Sequence, residues 1–271
     1  MSLQSENPLV SFIIPCYNQG ELIIESVESV LHQRYRPVEV FVINDGSNDH
    51  QTLTALNKLP SDVHLIHIEN SGPSIARNIA VQRCNGKYIV PLDGDDLVLP
   101  HTLSKAIPIL EKNDSVAVVY GNNQLFGEIN ELKKQEHFNA RNIFLYNPIA
   151  FCSIVRKKAY IEVGGLDEWM SKKGLEDWEF WIRLYEKGWS FFYVDETFFK
   201  IRINKSSRTF QVANKHLDEL KEYVWKKHAP ALANQYEELF YELKAFRETP
   251  DYRLGNMLLR PLRILKKLFY K

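Results

Sequence analysis

The sequence predicts an α/β domain with a largely parallel sheet. Short apolar runs such as "LVSFIIP" (9–15) are typical of strands that are buried on both faces. Amphipathic segments such as "GELIIESVESVLHQ" (20–33) carry apolar residues at helical spacing. Strand and helix alternate in this way up to Asp93, which is typical of parallel βαβ units. The other strands of this part are predicted at 38–45, 63–68 and 87–93, and the other helices at 50–59 and 72–84.

Beyond Pro100 the alternation is looser. The segment 122–155 has weak signals, and we expect strands and loops there. The clearer elements are helices at 101–112 and 174–188, strands at 115–121, 189–195 and 197–203, and two further helices at about 211–228 and 231–247. We therefore expect three parts: a main α/β domain over 1–208, C-terminal helices over 209–250 and a basic amphipathic tail over 251–271.

The composition indicates a globular protein. Apolar residues make up 45% of the 271 residues and charged residues 25%, which suffices for a packed core. Lys plus Arg equals Asp plus Glu at 34 each, so no global charge indicates a nucleic-acid partner. The three cysteines are widely spaced and odd in number, which excludes a disulfide framework or a zinc motif. Residues 1–8 lack the apolar core of a signal peptide, so we expect a cytoplasmic protein.

Acidic side chains follow several of the predicted strands. Asp45 ends the second strand, and Asp93 and Asp95 end the strand in "IVPLDGDD", while Tyr17 follows the first. Ligands of open parallel sheets bind at the carboxyl ends of the strands. These side chains are therefore predicted to share one rim. For the eight residues "IVPLDGDD" taken alone, an ordinary Asp-Gly surface turn is the alternative.

The Asp93–Asp95 pair predicts a divalent cation. In an extended chain the two carboxylates point to the same side, and Gly94 leaves room for a ligand. Like charges this close repel, and hard oxygen ligands suit Mg²⁺ or Mn²⁺, which often share substrate phosphates. The sequence contains neither of the common glycine-rich phosphate loops, so basic side chains must help to hold phosphates. Arg77 is a candidate, with a solvated helix Arg as the alternative.

Five blocks of the sequence match one known family in order and spacing. They are "VSFIIPCYNQGELIIESVESVLHQ", "VEVFVINDGSND", "NSGPSIARNIAVQRCNGKYIVPLDGDD", "VGGLDE" and "GLEDWEFWIRL". Over roughly residues 9–208 the chain resembles the family 2 inverting glycosyltransferases of the GT-A fold. The resemblance implies a Rossmann-like, mostly parallel sheet flanked by helices, here with a C-terminal helical extension.

The resemblance also implies a role for each donor-side residue. Pro15 and Tyr17 would line the nucleobase pocket, and Asp45 would hydrogen-bond the base, usually uracil. Arg77 would lie against the nucleotide. Asp93 and Asp95 would form the D-x-D pair, with Asp93 near the ribose and metal and Asp95 coordinating the metal directly. Asp96 is expected to point to the opposite face.

On the acceptor side, Asp177 of "LEDW" matches the catalytic base of the family. Glu176 would support Asp177 or contact the acceptor. Asp177 falls at a predicted helix start, where the helix dipole favours the ionised form that a base needs. On spacing alone, a helix-capping acid is the alternative. Trp178 and Trp181 are expected in the core.

The chain departs from the family at the segment after the last strand. Many members carry "YR-x-H" there, whereas this chain has "IRINKSS", with Arg202 kept and Asn204 in place of the His. A metal ligand from this segment is therefore in doubt, although Arg202 could still contact phosphate. The Q-x-x-R-W signature of processive synthases is absent, which favours transfer of a single sugar.

The resemblance thus implies a metal-dependent inverting glycosyltransferase of surface polysaccharide biosynthesis. Its donor would be a UDP-sugar, with a dTDP- or GDP-sugar as the alternative, and its acceptor a hydroxyl of a glycan or lipid-linked acceptor. One alternative is a polyprenyl-phosphate glycosyltransferase, whose anionic acceptor would not need Asp177 as a base. Another is a non-catalytic module that binds sugar nucleotides.

The last twenty residues, 252–271, form a basic amphipathic pattern. Five leucines follow helical spacing, and from Arg253 onward there are six basic residues and no acid. Because the whole chain is neutral, residues 1–252 carry a net charge of −6. Such a segment is typical of an anchor on an anionic membrane surface, here the inner face of the plasma membrane. Docking on the protein itself, or on a second subunit in a homodimer, is the alternative.

We predict that the full chain co-sediments with anionic lipid vesicles and that a 1–250 truncation does not. Each basic residue near an anionic surface contributes on the order of 1 kcal/mol, so six suffice for reversible binding. Neutral vesicles are the control. Equal sedimentation of both chains, or of neither, would refute the anchor.

Overall fold

The structure is a computed structural model that describes residues 7–204, 217–250, 252 and 254. The chain divides into two compact units, Met1–Val224 and Trp225–Lys271. The three-part division expected from the sequence stays a prediction, since its boundary at 208 lies outside the described residues. The tail over 251–271 lies outside them too, except for Tyr252 and Leu254.

The first half of the sheet is parallel, as the alternating pattern predicts. Its strands stand in the order β3-β2-β1-β4, and each pairs in parallel with its neighbour. The helices between them begin and end close to the predicted residues, and Pro73 opens the third. The bounds are β1 (Val10–Cys16), α1 (Leu22–Leu31), β2 (Val38–Asp45), α2 (His50–Asn57), β3 (Val63–Ile68), α3 (Pro73–Arg83) and β4 (Tyr88–Pro91).

The second half makes the sheet mixed. The strand β8 runs antiparallel between β4 and β6, and β9 lies parallel beside β6. Two short strands complete it, with β5 antiparallel to β9 and β7 antiparallel to β6. The bounds of these strands are β5 (Leu97–Val98), β6 (Val116–Gly127), β7 (Glu131–Lys133), β8 (Ile154–Arg156) and β9 (Ser190–Ile203).

The remaining described helices come after β4 along the chain. They are α4 (Thr102–Lys112), α5 (Lys157–Glu162), a 3-10 turn over Glu168–Met170, α6 (Glu176–Glu186), α7 (Leu217–Lys227) and α8 (Ala229–Glu248). The start expected for α7 at residue 211 lies outside the described residues. None of the described helices combines the length and apolar character needed to cross a bilayer. The three cysteines are free and buried.

Three predicted strand boundaries are wrong. The strand expected at 115–121 continues as β6 to Gly127. The strands expected at 189–195 and 197–203 are one continuous strand, because β6 pairs on both sides of the break and absorbs it as a register shift near Asn122. The strand expected to reach Asp93 ends at Pro91. Asp93 to Asp96 form a turn instead, in which the Asp96 N–H donates to the Asp93 carbonyl at 3.0 Å. The extended geometry expected for the two aspartates is therefore incorrect.

Candidate active site

One cavity of about 820 Å³ collects most of the residues predicted from the sequence. It lies at the carboxyl ends of β1, β2 and β4, where an open parallel sheet binds ligands. Eight of the nine predicted site residues line it: Pro15, Tyr17, Asp45, Arg77, Asp93, Asp95, Glu176 and Asp177. The rim expected from the strand ends therefore exists, and the "LEDW" block faces it from the other side.

Arg77 is the cation that joins the two acidic sides of the cavity. Its guanidinium is buried, pairs with the Asp93 carboxylate, and lies 3.4 Å from an oxygen of Glu176. The guanidinium also stacks on the ring of Phe151 at 4.4 Å from the centroid. Asp93 keeps half of its side chain exposed, whereas Arg77 exposes 4%. Arg77 is thus not the solvated helix residue of the alternative interpretation.

Asp45 holds the start of α3. Its two carboxylate oxygens accept hydrogen bonds from the N–H groups of Ser71 and Gly72, at 2.6 and 2.8 Å. The hydroxyl of Ser171 accepts from Ser74 N–H at 3.1 Å and donates to the Ser71 carbonyl. The segment before α6 is therefore tied to the helix that carries Arg77. Asp45 also lines the cavity. Each of its carboxylate oxygens keeps a second lone pair, so it can accept a further hydrogen bond from a ligand.

Arg202 does not line the cavity but supports the aspartate turn from behind. Its backbone N–H donates to Asp96 at 2.8 Å, and its side-chain Nε–H donates to the Asp95 carbonyl at 3.0 Å. The guanidinium pairs with Glu25 at 2.6 Å. Asp96 is buried, and burial raises the pKa of its carboxyl well above the ordinary value. Among residues 201–204, the described part of this segment, Asn204 lines the cavity.

Asp177 and Glu176 open α6 at the opposite wall. Leu175 precedes them with φ of 61°, a left-handed conformation that is uncommon for a residue with a side chain. Burial and the adjacent Glu176 carboxylate raise the pKa of Asp177 to about 7. The helix start was expected to favour the ionised form, whereas burial, the largest cause of the shift, favours the protonated form.

Trp178 and Trp181 lie in the core, as expected. They expose 1% and 0% of their surface, and both indole N–H groups donate to backbone carbonyls. The acceptors are Ile143 and Ile149, which belong to the segment that the sequence left unassigned. The two tryptophans therefore anchor that segment to α6.

Several residues of the cavity have no signal in the sequence. Asn147 and Phe151 come from the weakly patterned segment 122–155, and Lys172 and Lys173 come from the connection before α6. Their positions depend on tertiary contacts, such as the hydrogen bond from Lys172 to the Asn70 carbonyl at 2.7 Å. Among the described lining residues, five carboxyl groups face three basic side chains, so the cavity is acidic before a ligand binds.

The comparisons with known proteins match this geometry. Residues 11–165 match the family described as Glycosyl transferase family 2, which covers more than half of the chain. This chain belongs to glycosyl transferase family 2.

Relatives and solved structures agree with that membership. An uncharacterized glycosyltransferase of Rickettsia felis is 29% identical over 266 residues, which are 92% of this chain and 43% of the relative. The chain thus spans less than half of that relative's length. Chondroitin synthase of Escherichia coli is 38% identical over 120 residues, which are 43% of this chain and 17% of the synthase. The solved structure of S. aureus TarS 1–349 in complex with UDP-GlcNAc has a TM-score of 0.60 at 21% identity, over 73% of this chain and 60% of TarS 1–349. The TarS likeness shows the GT-A fold.

The aspartate turn fits the metal that the family resemblance implies. Burial and the neighbouring Asp93 raise the pKa of Asp95 to about 6, as expected for two carboxyl groups that repel each other. The amide oxygen of Gln19 is buried beside Gly94 without a hydrogen-bond partner, and a Cβ on Gly94 would lie 2.0 Å from it. No group of three or more acidic, His or Cys ligands occurs among the described residues. Two carboxylates suffice for Mg²⁺ when phosphates and waters complete its shell.

We predict that Arg77→Met lowers the free energy of unfolding by about 3 kcal/mol, the scale of breaking a buried ion pair. The substitution leaves Glu176 buried without its cation. Loss of the pair with Asp93 contributes less to the change in stability, because the Asp93 side chain is half exposed. Urea denaturation measures the change. Arg83→Met, at the exposed end of α3, is the matched control and should change stability by less than about 0.5 kcal/mol. Equal stability of the two variants would show that Arg77 does not hold the acids together.

Proposed function

We propose that the protein is a metal-dependent inverting glycosyltransferase that moves one sugar from a UDP-sugar to a hydroxyl group. The observation that carries the proposal is that the Asp93–Asp95 turn and Asp177 line the same cavity. One wall offers ligands for a metal and a diphosphate, and the other offers a base. Family membership supports the same reaction class.

The proposed donor side uses the residues at the ends of β1, β2 and β4. Tyr17 is 47% exposed at the rim, which leaves its ring free to stack on a nucleobase. Asp93 and Asp95 would hold Mg²⁺ or Mn²⁺, with the Gln19 oxygen available to a water or a ribose hydroxyl. A bound metal ion supplies charge neutralisation of the diphosphate, which makes it a better leaving group. The TarS complexes with UDP and with UDP-GlcNAc support UDP as the nucleotide.

The proposed reaction is a single displacement. The acceptor oxygen forms a bond to the anomeric carbon as the bond from that carbon to the diphosphate oxygen breaks. The hydroxyl proton passes to the Asp177 carboxylate. A pKa near 7 suits this step, because a base works best when its pKa lies near the operating pH. Glu176 stays paired with Arg77 and raises the proton affinity of Asp177.

The acceptor we propose is a glycan or a lipid-linked glycan of a surface polysaccharide. Chondroitin synthase, a polysaccharide-forming relative, supports this class of acceptor. Transfer to polyprenyl phosphate is less favoured, because an anionic acceptor would need no base, whereas the proposal gives that role to Asp177. A non-catalytic binding module would have no use for a carboxyl group whose pKa is raised to about 7. The proposed location is the cytoplasm, at the inner face of the plasma membrane if residues 252–271 act as an anchor.

A panel of nucleotide sugars tests the function directly. UDP-GlcNAc, other UDP-sugars, dTDP-sugars and GDP-sugars are incubated with the full chain, with Mn²⁺ and with EDTA. We expect metal-dependent release of UDP from at least one UDP-sugar. Release that is unaffected by EDTA would contradict the metal, and the absence of release from every donor would favour the non-catalytic module.

We predict that Asp95→Ala removes most of the Mn²⁺-dependent affinity for UDP and abolishes transfer. The carboxylate pair at the turn would lose one of its two metal ligands. Calorimetry of UDP binding, with and without Mn²⁺, measures the effect. Asp62→Ala, an exposed acid outside the cavity, is the control. Unchanged binding by Asp95→Ala would remove Asp95 from the metal site.

We predict that Asp177→Asn slows UDP release about a hundredfold or more while UDP affinity stays nearly unchanged, the usual scale for losing a general base. The wild-type rate should fall as the pH drops below about 7, since protonation of Asp177 removes the base. Glu186→Gln, at the exposed end of α6, is the control. Near-normal turnover of Asp177→Asn at saturating donor would exclude it as the base.

A further inference from the structure

Asn147 makes the shortest described side-chain contact to Asp177. Its amide N–H donates to Asp177 Oδ2 at 2.6 Å. The amide oxygen accepts from the Ile149 N–H at 3.4 Å, which orients the group so that its nitrogen faces the carboxylate. A hydrogen bond donated to a carboxylate favours the ionised form. The Asn147 hydrogen bond thus favours the ionised form of Asp177, which the proposed reaction requires.

The segment that carries Asn147 is fixed on both sides by the helix that carries Asp177. Trp178 Nε1–H donates to the Ile143 carbonyl at 2.5 Å, and Trp181 Nε1–H donates to the Ile149 carbonyl at 3.1 Å. Both indoles are buried. The same helix, α6, therefore carries Asp177 and fixes the segment on either side of Asn147. This keeps the amide of Asn147 beside the Asp177 carboxylate.

The second oxygen of Asp177 is also occupied. Its Oδ1 accepts from the Trp178 N–H at 2.8 Å. Each carboxylate oxygen therefore has one donor, and the plane of the group is fixed while the remaining lone pairs stay open to an incoming proton. Burial and the Glu176 carboxylate raise the pKa of Asp177, and Asn147, Trp178 and Arg77 lower it. The other charged residues lining this cavity are Asp45, Asp93, Asp95, Lys172 and Lys173.

Asn147 also lines two cavities. A second cavity of about 370 Å³ is formed by residues between Lys133 and Ala150, and Asn147 belongs to the lining of both. Its wall presents amide, hydroxyl, basic and acidic groups, which suit a hydroxyl-rich glycan: Lys133, Lys134, Gln135, Glu136, His137, Asn139, Asn142 and Tyr146. A glycan bound there would lie beside Asn147, the residue that contacts Asp177.

We propose that Asn147 is a positioning residue of the transfer reaction, which orients the Asp177 carboxylate towards an acceptor hydroxyl that arrives from the second cavity. The proposal rests on the proposed function, in which Asp177 is the base. It assigns Asn147 to the base and the acceptor side, with no part in donor binding. Loss of its N–H should therefore change proton transfer and leave UDP affinity alone.

Two variants of Asn147 and one direct titration test the proposal. The full chain is labelled with ¹³Cγ-aspartate, and the resonance missing in Asp177→Asn identifies Asp177, so its titration needs no substrate. Asn147→Ala should move the midpoint to higher pH by about 1 pH unit, since a lost hydrogen bond to the ionised form raises a carboxyl pKa. The isosteric Asn147→Asp should move it further, because two adjacent carboxylates cannot both ionise readily. Thermal unfolding checks that both variants fold, and Asn113→Ala, at the exposed residue that follows α4, is the control.

The kinetic arm uses UDP release from UDP-GlcNAc with Mn²⁺. We expect the acid limb of the pH profile to follow the titration, kcat at pH 7 to fall about fivefold in Asn147→Ala, and KM for the donor to stay unchanged. Wild-type titration of Asp177 in both folded Asn147 variants would overturn the proposal. If Asp177→Asn itself kept normal turnover, the base assignment of the proposed function would fail instead, whatever the titration of the Asn147 variants showed.

Discussion

The site depends on one buried cation among many acids. Arg77 lies between Asp93 of the aspartate turn and Glu176 at the start of α6. A single guanidinium therefore connects the side of the cavity proposed to bind the donor with the side that carries the proposed base. Without it, the carboxyl groups on the two walls would repel one another across a cavity that water only partly screens. Its geometry suits the task, because the planar fork of Arg can serve two carboxylates at once. Arg77 remains available to the two acids because α3, which carries it, is held by Asp45 and by Ser171.

The same network explains how distant segments form one wall. Ser171 meets the start of α3 across about a hundred residues of sequence, and the two tryptophans of α6 fix the segment that contains Asn147. Each of these contacts satisfies buried polar groups that would otherwise cost free energy. The left-handed Leu175 lies at the junction, where the chain turns into α6 and presents Glu176 and Asp177. The conformation is costly by about 1–3 kcal/mol for such a residue and is sustained by the packing of the helix behind it.

The parallel half of the fold and the rim of acids could be predicted because local patterns determine them. Apolar runs predict β1 to β4, and a parallel sheet places the ends of its strands together, so the shared rim of Tyr17, Asp45, Asp93 and Asp95 follows from the strand order. The part played by Asn147 could not be predicted, since nothing local distinguishes it within 122–155 and its position depends on indole hydrogen bonds from α6. Arg202 shows the opposite error: its motif was visible, yet the guanidinium is engaged with Glu25 behind the turn. The ionisation of Asp177 was misjudged because sequence shows the helix start but not the burial of the carboxyl group.

Diffraction from crystals grown with UDP and Mn²⁺ tests the arrangement most directly, because the anomalous signal of manganese locates the ion without reference to activity. The arrangement predicts a manganese peak within bonding distance of the Asp95 carboxylate, about 2.2 Å for a hard oxygen ligand. It also predicts a diphosphate on the far side of the ion and the uracil ring against Tyr17, with Asp177 facing the open end of the diphosphate. A nucleotide bound outside this cavity, or a diphosphate held there by basic side chains with no manganese at Asp95, would contradict it.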